Sequence, residues 1–539
     1  MIVLKNYPFL IGIAVLLISM FSNTSSAAEV PVLNGQAYDQ HVELHWDKAQ
    51  KQDATYNIYV SVAGQKWQLR HTTQATALLD FVGELGSDLS LKYKLTLQQG
   101  DDEVELAEIS LATHTFTDDE LLEMVQAYTF RYFWPDDETA TGWAKERIPN
   151  GDGNIVTSGG TGFGILALIT GAERGWASRE RIVKQLLRLT ESLKQAETFH
   201  GMWAHWYRDG EVFHFSKYDD GGDIVESAFL IQGLLTARQY FANDNDAEKQ
   251  LRADITQLWE SMQWDWYTRY ELGTPEKVLT WHWSKKHGWK MDHHIRGYNE
   301  ALIVYILAAS SPTHSIDADV YHQGWAAGEP GHQTFENGQG FYANQLPLGP
   351  AKELGGPLFF AHYSYLGLDP RGLSDRYADY WQQNKNHALI NRAYAIDNPK
   401  GWTGYGEDFW GITAGDMLPD GYSAHAPGER DQGTINPTGA LSSMPYTPKE
   451  SLKVLRNLYY KHGKEAFGMM GFYDAVNLSV SDDPKKQVRK TYLAIDQGPI
   501  VAMIENYRSG LLWKHFMQDK DVQRGLAKLG FTVDSNSAH

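Results

Sequence analysis

At Thr117 the apolar residues of this chain stop alternating in strand fashion and begin to recur at helical spacing, which then persists to the C-terminus. The spacing predicts helices over 118–134, 162–174, 178–197, 223–242, 246–262, 297–310, 357–366, 374–384, 448–461, 491–507 and 520–529. Asp118-Asp119-Glu120 reads as an acidic helix start. Loops rich in Gly, Pro, Trp, His and Asp lie between these segments, and no internal repeat is legible. Helices in that number, with elaborate loops, imply a mainly α fold. The expectation is an (α/α)6 toroid over residues 117–539 whose loop-bearing end forms a cleft.

Upstream, Val42-Glu43-Leu44-His45-Trp46, Tyr56-Asn57-Ile58-Tyr59-Val60 and Lys92-Tyr93-Lys94-Leu95-Thr96-Leu97 alternate as strands between polar turns. Residues 29–116 therefore read as a small all-β sandwich resembling a fibronectin type III domain, with Trp46, Tyr59 and Tyr93 in its core. Residues 1–28 read as a signal peptide: Lys5, an apolar run from Pro8 to Ile18, and small residues at Ser25-Ser26-Ala27-Ala28. The 539 residues contain no Cys, so disulfides, thiolate metal sites and lipid-anchored cysteines are excluded. Export without Cys points to a bacterial periplasmic or secreted protein, with no membrane association once the signal is cleaved. A formal net charge of −19 argues against nucleic acid as a partner. The 18 Trp and 29 Tyr argue against disorder. No pattern in the sequence fixes the oligomeric state.

The chemistry concentrates in acids at helix entrances. Asp219-Asp220-Gly221-Gly222-Asp223-Ile224-Val225-Glu226 precedes an apolar helical run and sets Asp223 and Glu226 on one face of a first turn. Capping explains an Asp and a Glu at that spacing, but not the additional Asp219-Asp220-Gly221-Gly222. Glu300 follows Gly297-Tyr298-Asn299 at the next such entrance. Trp281-His282-Trp283, Trp289, His293 and His294 crowd the stretch before it. Apolar rings beside a carboxyl raise its pKa, as a general acid requires, while a helix N-terminus pulls the other way. Asp496 opens a third helix in Ile495-Asp496-Gln497-Gly498-Pro499. Paired carboxyls, one to give a proton and one to activate water, are what hydrolysis of a sugar bond needs. Flat faces for glucose rings would come from Trp281, Trp283, Trp402, Trp410 and Tyr363, with His362 and Glu407 as polar neighbours. His293-His294 and His362 lack metal-ligand spacing, so neither a catalytic metal nor a cofactor is expected. Gly159-Gly160-Thr161-Gly162-Phe163-Gly164 follows no predicted strand. It reads as a tightly packed or substrate-facing helix start rather than a phosphate loop.

Ordered segments across 118–531 resemble the bacterial glycoamylase-like domain, which includes the endo-β-1,2-glucanases of glycoside hydrolase family 144. They are Thr129-Phe130-Arg131-Tyr132-Phe133-Trp134, the glycine run at 159–164, Glu173-Arg174-Gly175-Trp176, Gly221 to Glu226 and Gly297 to Ala301. Gly355 to Ser364, Gly404-Tyr405-Gly406-Glu407, Pro445-Tyr446-Thr447-Pro448 and Ile495 to Pro499 continue the series. The resemblance implies the toroid and inverting hydrolysis of β-1,2-glucan to sophorose and short sophorooligosaccharides. It implies Glu300 as general acid, with Asp219, Asp223, Glu226 and Asp496 as the other essential acids and the base among them unassigned. Trp143-Ala144-Lys145-Glu146-Arg147 and Phe409 depart from the usual family pattern without touching a proposed acid. Two alternatives stay open: a non-catalytic glycan-binding protein, and an enzyme of the same fold acting on another glucan linkage.

Overall fold

A computed structural model of the chain describes residues 32–48, 53–134, 140–151, 153–326, 339–419 and 421–534. The expected signal peptide lies outside the described residues. The chain divides into two compact units. One takes in 32–37, 42–80 and 88–113; the other takes in 38–41, 81–87 and 114 onward.

The first unit carries the strands β1 (Leu33–Ala37), β2 (His41–Trp46), β3 (Tyr56–Val62), β4 (Gln68–Thr73), β5 (Ala77–Phe81), β6 (Ser90–Gln99) and β7 (Asp102–Ala112). They form a three-stranded sheet, β1-β2-β5, and a four-stranded antiparallel sheet, β4-β3-β6-β7. Trp46 and Tyr56 meet edge to face at 5.5 Å in the core. Buried Tyr93 donates its hydroxyl to Asp80 at 2.8 Å. Tyr59 is a correction to the expected core. The side chains of Tyr56, Ile58 and Val60 point inward, so the period of two turns Tyr59 outward, where its hydroxyl bonds Glu103.

In the second unit, burial separates two kinds of helix. α1 (Asp118–Phe130) opens with a capping box between Thr117 and Glu120. α2 (Ser158–Arg174) and α4 (Ile224–Tyr240) each bury 14 of 17 residues, and α6 (Leu302–Ser310) buries all nine. The helix Ala494–Arg508 buries 12 of 15. Such all-round burial marks helices enclosed by others. α3 (Arg179–Gln195) and α5 (Asp246–Glu260) bury only one stripe, such as Ile182, Leu186, Leu189 and Leu193, and pack on each other.

α2 packs against α4 and Ala494–Arg508, and α4 packs against α6. The glycine run serves this contact. A Cβ on Gly162 would lie 2.1 Å from the Phe229 carbonyl oxygen, and one on Gly233 would lie 2.3 Å from the Gly162 carbonyl oxygen. The two backbones therefore touch where no side chain fits.

Several predicted helix limits shift. Residues 357–366 form two short 3-10 turns, Leu358–Ala361 and Tyr363–Tyr365, and α6 starts at Leu302, after a turn through Asn299–Ala301 that follows Gly297 at a positive φ of 74°. The helix expected at 374–384 runs instead over Tyr380–Asp397. Its buried face is lined with amides that bond loop backbone: Gln383 to Leu348, Asn386 to Gln345 and Asn391 to Ile412. An apolar pattern cannot reveal a face built from amides. The helix Leu511–Met517 has no counterpart among the predicted segments.

Replacing a helical Gly with Ala ordinarily stabilises a protein by about 1 kcal/mol. Gly233→Ala should instead destabilise this one by about 1–3 kcal/mol, the usual cost of overpacking. A urea or thermal melt checks the sign, and a raised Tm contradicts the close-contact account.

Candidate active site

The entrances of the enclosed helices converge on a group of acids. Asp223 is the N-cap of α4: its Oδ1 accepts from the N–H groups of Val225 and Glu226, both at 2.9 Å. Its Oδ2 accepts from the Trp281 indole N–H at 2.9 Å. That contact spans 58 residues and follows from a short ladder in which Gly222-Asp223 pairs with His282-Trp283. Glu226, in the first turn of α4, accepts from the Gly159 N–H at the start of α2 at 2.8 Å. A Cβ on Gly159 would stand 2.4 Å from that carboxyl oxygen, so glycine is required for the contact.

His205 joins the two acids. Its Nδ1 lies 3.5 Å from Asp223 and its Nε2 3.5 Å from Glu226, while its ring stacks on Trp206 at 3.4 Å. Burial disfavours a charged ring here, but Glu226, Asp223 and Asp219 outweigh it and push His205 up to about 9. The ring is therefore an imidazolium at neutral pH. For Asp223 burial acts upward, but His205, the Glu226 N–H and the Trp281 indole more than offset it and hold this carboxyl below its usual range. For Glu226 burial wins and the carboxyl is raised, despite His205 and the Gly159 N–H. Burial and the Asp223 charge push Asp219 up to about 6. Donor atoms of His205, Asp219 and Asp223 fall within 4.8 Å of one another, a spacing a metal ion would accept. The proton on His205 would have to leave first.

Glu300 sits just before α6, in a turn fixed by Asn299, whose Oδ1 accepts from the Ala301 N–H, and by Ser364, which bonds the Glu300 carbonyl. Burial pushes its carboxyl up to about 7, with Glu226 and Asp223 adding repulsion. The helix-entrance effect that opposed this in the sequence is weakened because α6 begins two residues later. Asp496 is buried in the first turn of Ala494–Arg508, and burial together with Asp474 raises it well above the carboxylate range. Tyr363 lies under the electrostatic influence of Asp496, Glu300 and Glu226, and its buried hydroxyl has no partner among the described residues. Half-exposed Tyr422 senses the same three acids and Asp474.

The structure thus gathers Asp219, Asp223, Glu226 and Glu300, with Trp281 beside them, and sets Tyr363 and Tyr422 within electrostatic reach of Asp496, Glu300 and Glu226 alike. Trp283 packs edge-on against Trp266 and Trp289. The other expected sugar contacts stand in varied surroundings. His362 is fully buried, bonds Ser443 at 2.9 Å, and is pushed down to about 3 by burial, so it ties segments together as a neutral ring. Trp410 is fully buried core. Glu407 is exposed and engaged by Lys453 and Arg392. Trp402 gives its N–H to Asp431 at 2.8 Å and packs over Gly433. Sequence reasoning passes over His205, Tyr422 and Asp474. Only Asp474 carries a signal, as a lone acid inside Phe472-Tyr473-Asp474-Ala475-Val476.

A protonatable carboxyl beside ionised ones, in a site walled by Trp and Tyr, is glycosidase chemistry. The Glycoamylase family model, described as a glucoamylase, matches residues 292–520. An exo β-1,2-glucooligosaccharide sophorohydrolase (non-reducing end) from Parabacteroides distasonis is 40% identical over 533 residues, covering 94% of this chain and 71% of that protein. The crystal structure of a β-1,2-glucanase from the same species superposes with a TM-score of 0.83 over 94% of this chain and 73% of that one, at 40% identity. An endo-β-1,2-glucanase from Chitinophaga pinensis, solved with sophorotriose and glucose, gives 0.72 at 50% identity over 78% of this chain and 99% of that one. The chain belongs to this glycoamylase-like family and is a glycoside hydrolase.

The raised Glu300 carboxyl has a stability consequence. A carboxyl whose folded pKa exceeds its unfolded value costs stability as pH rises between the two. The melting temperature of Glu300→Gln should therefore climb relative to wild type from about pH 4.5 to about pH 7 and then level off. A difference independent of pH contradicts the raised carboxyl.

Proposed function

We propose that this protein hydrolyses β-1,2-glucan to sophorose and short sophorooligosaccharides, with inversion at the anomeric carbon. The observation that carries the reading is Glu300, a carboxyl raised to about 7 in the same group of acids as the lowered Asp223. Relatives at 40–50% identity named for β-1,2-glucan or its oligosaccharides support the substrate. In this reading Glu300 protonates the glycosidic oxygen and Asp496 belongs to the path that activates water. Asp223, Glu226 and His205 fix the geometry and charge of the acid side, and Asp219 completes the set. Trp281, Tyr363 and Tyr422 offer ring faces or hydroxyls to glucose units.

The enclosed helices are read as the inner ring of an (α/α)6 toroid, and the two sheets of the first unit as a fibronectin type III-like sandwich. Residues 1–28 are read as an export signal, which puts the enzyme in the periplasm or outside the cell. No helix among the described residues is long and apolar enough to cross a membrane.

Two relatives favour different cleavage modes: the one matched over 94% of this chain is exo-acting, and the one matched over 78% is endo-acting. Digestion of long linear β-1,2-glucan, followed by NMR, tests the whole reading. Product appearing first as the α-anomer is expected. Sophorose alone from the earliest times marks exo action, and a spread of oligosaccharides marks endo action. A first-formed β-anomer contradicts inversion, and cleavage confined to another linkage contradicts the substrate.

Glu300→Gln should lose about 10²–10⁴-fold in rate on the natural glucan, the usual worth of a general acid. It should lose far less on an aryl glycoside whose leaving group needs no proton. Near-normal turnover of the glucan would move the acid role to Glu226.

A further inference from the structure

We propose that Asp474 and Asp496 hold one proton between facing carboxyl groups, so that Asp474 is the positioning residue that sets when Asp496 ionises. This rests on the reading of Asp496 as one of the catalytic acids.

Three buried oxygens carry the argument. Both carboxyl oxygens of Asp496, and Oδ1 of Asp474, have no N–H or O–H partner among the described residues. Each residue is about 2% exposed. The two carboxyls lie within hydrogen-bonding reach of each other. Two acceptors that meet in a buried place, with no donor between them, lack only a proton.

The geometry is enforced by the chain. Asp474 donates its backbone N–H to the Thr491 carbonyl at 2.8 Å. Ala475-Val476 pairs with Val488-Arg489, and that strand leads directly through Tyr492-Leu493 into the helix carrying Asp496. The remaining oxygen of Asp474 accepts from the Asp416 N–H at 2.5 Å.

Neighbouring charges do not replace the proton. Arg147 donates to Glu146 at 2.7 Å and to Asp416 at 3.1 Å. Arg489 stands 3.7 Å from Asp416, which also accepts from Thr491 at 2.7 Å. The other groups facing the pair are the phenols of Tyr132, Tyr363 and Tyr422. Tyr132 is committed to the Lys145 carbonyl. Burial raises both carboxyls of the pair, and Asp474 raises Asp496 further. Such a pair titrates in two coupled steps. With one proton aboard it keeps one carboxylate free. When water attacks, its O–H bond breaks, that proton passes to the free carboxylate, the oxygen bonds to the anomeric carbon, and the glycosidic bond breaks as its oxygen takes the proton of Glu300.

Asp474→Asn leaves Asp496 as a lone buried carboxyl of unchanged surroundings, without the shared proton that eases its ionisation. The acidic limb of its kcat/KM profile should then move to higher pH by about one unit or more. Loss of activity with the limb unmoved would make Asp474 merely structural and overturn the proposal. Asp496→Asn separates the two readings: if it turns over normally, Asp496 is not a catalytic acid. If it is inactive while the Asp474→Asn limb stays put, only the shared proton is lost. Should Asp474→Asn fail to fold, neutron diffraction from wild-type crystals at pH 7 decides. A deuteron between the two carboxyls is expected, and a bare pair contradicts it.

Discussion

The backbone contact between α2 and α4 is the constraint on which the site depends. Gly162 and Gly233 let the two helices touch, and this draws the start of α2 level with the first turn of α4. Only then does the Gly159 N–H reach Glu226. Glu226 in turn faces the His205 ring that also faces Asp223, so an interhelical distance is converted into a charge pattern. A wider gap would leave Glu226 buried without its donor, which is costly for a carboxyl.

The acids cluster despite mutual repulsion because each one is managed differently. Asp223 is held ionised by two N–H groups, an indole and an imidazolium. Glu300 has no comparable set of donors and keeps its proton to about pH 7. Burial penalises both, but only Asp223 is fully compensated, and that asymmetry distinguishes acid from anion in one cleft. The arrangement costs stability at neutral pH, as catalytic sites commonly do.

Much of this is legible from residues. Acids followed by apolar runs mark the entrances of α4, α6 and Ala494–Arg508, because capping chemistry and helical periodicity are local properties. What escapes the sequence is non-local. Tyr59 reads as inward because aromatics favour cores, whereas strand parity sends it out. Trp410 stands in a loop-like segment that promises exposure, and His362 in one that reads as a helix; tertiary packing buries both. His205 has no neighbouring pattern at all: its meaning comes from two carboxyls that only the fold brings to it. The helix Tyr380–Asp397 hides because its buried face is made of amides.

The most direct test of the account is a crystal structure of Glu300→Gln with a linear β-1,2-linked glucooligosaccharide bound across the acids. The account requires the amide that replaces the Glu300 carboxyl to stand within about 3 Å of a glycosidic oxygen, with Asp496 toward the opposite face of the same sugar. An oligosaccharide whose glycosidic oxygen instead meets Glu226, or which lies away from both residues, would contradict it.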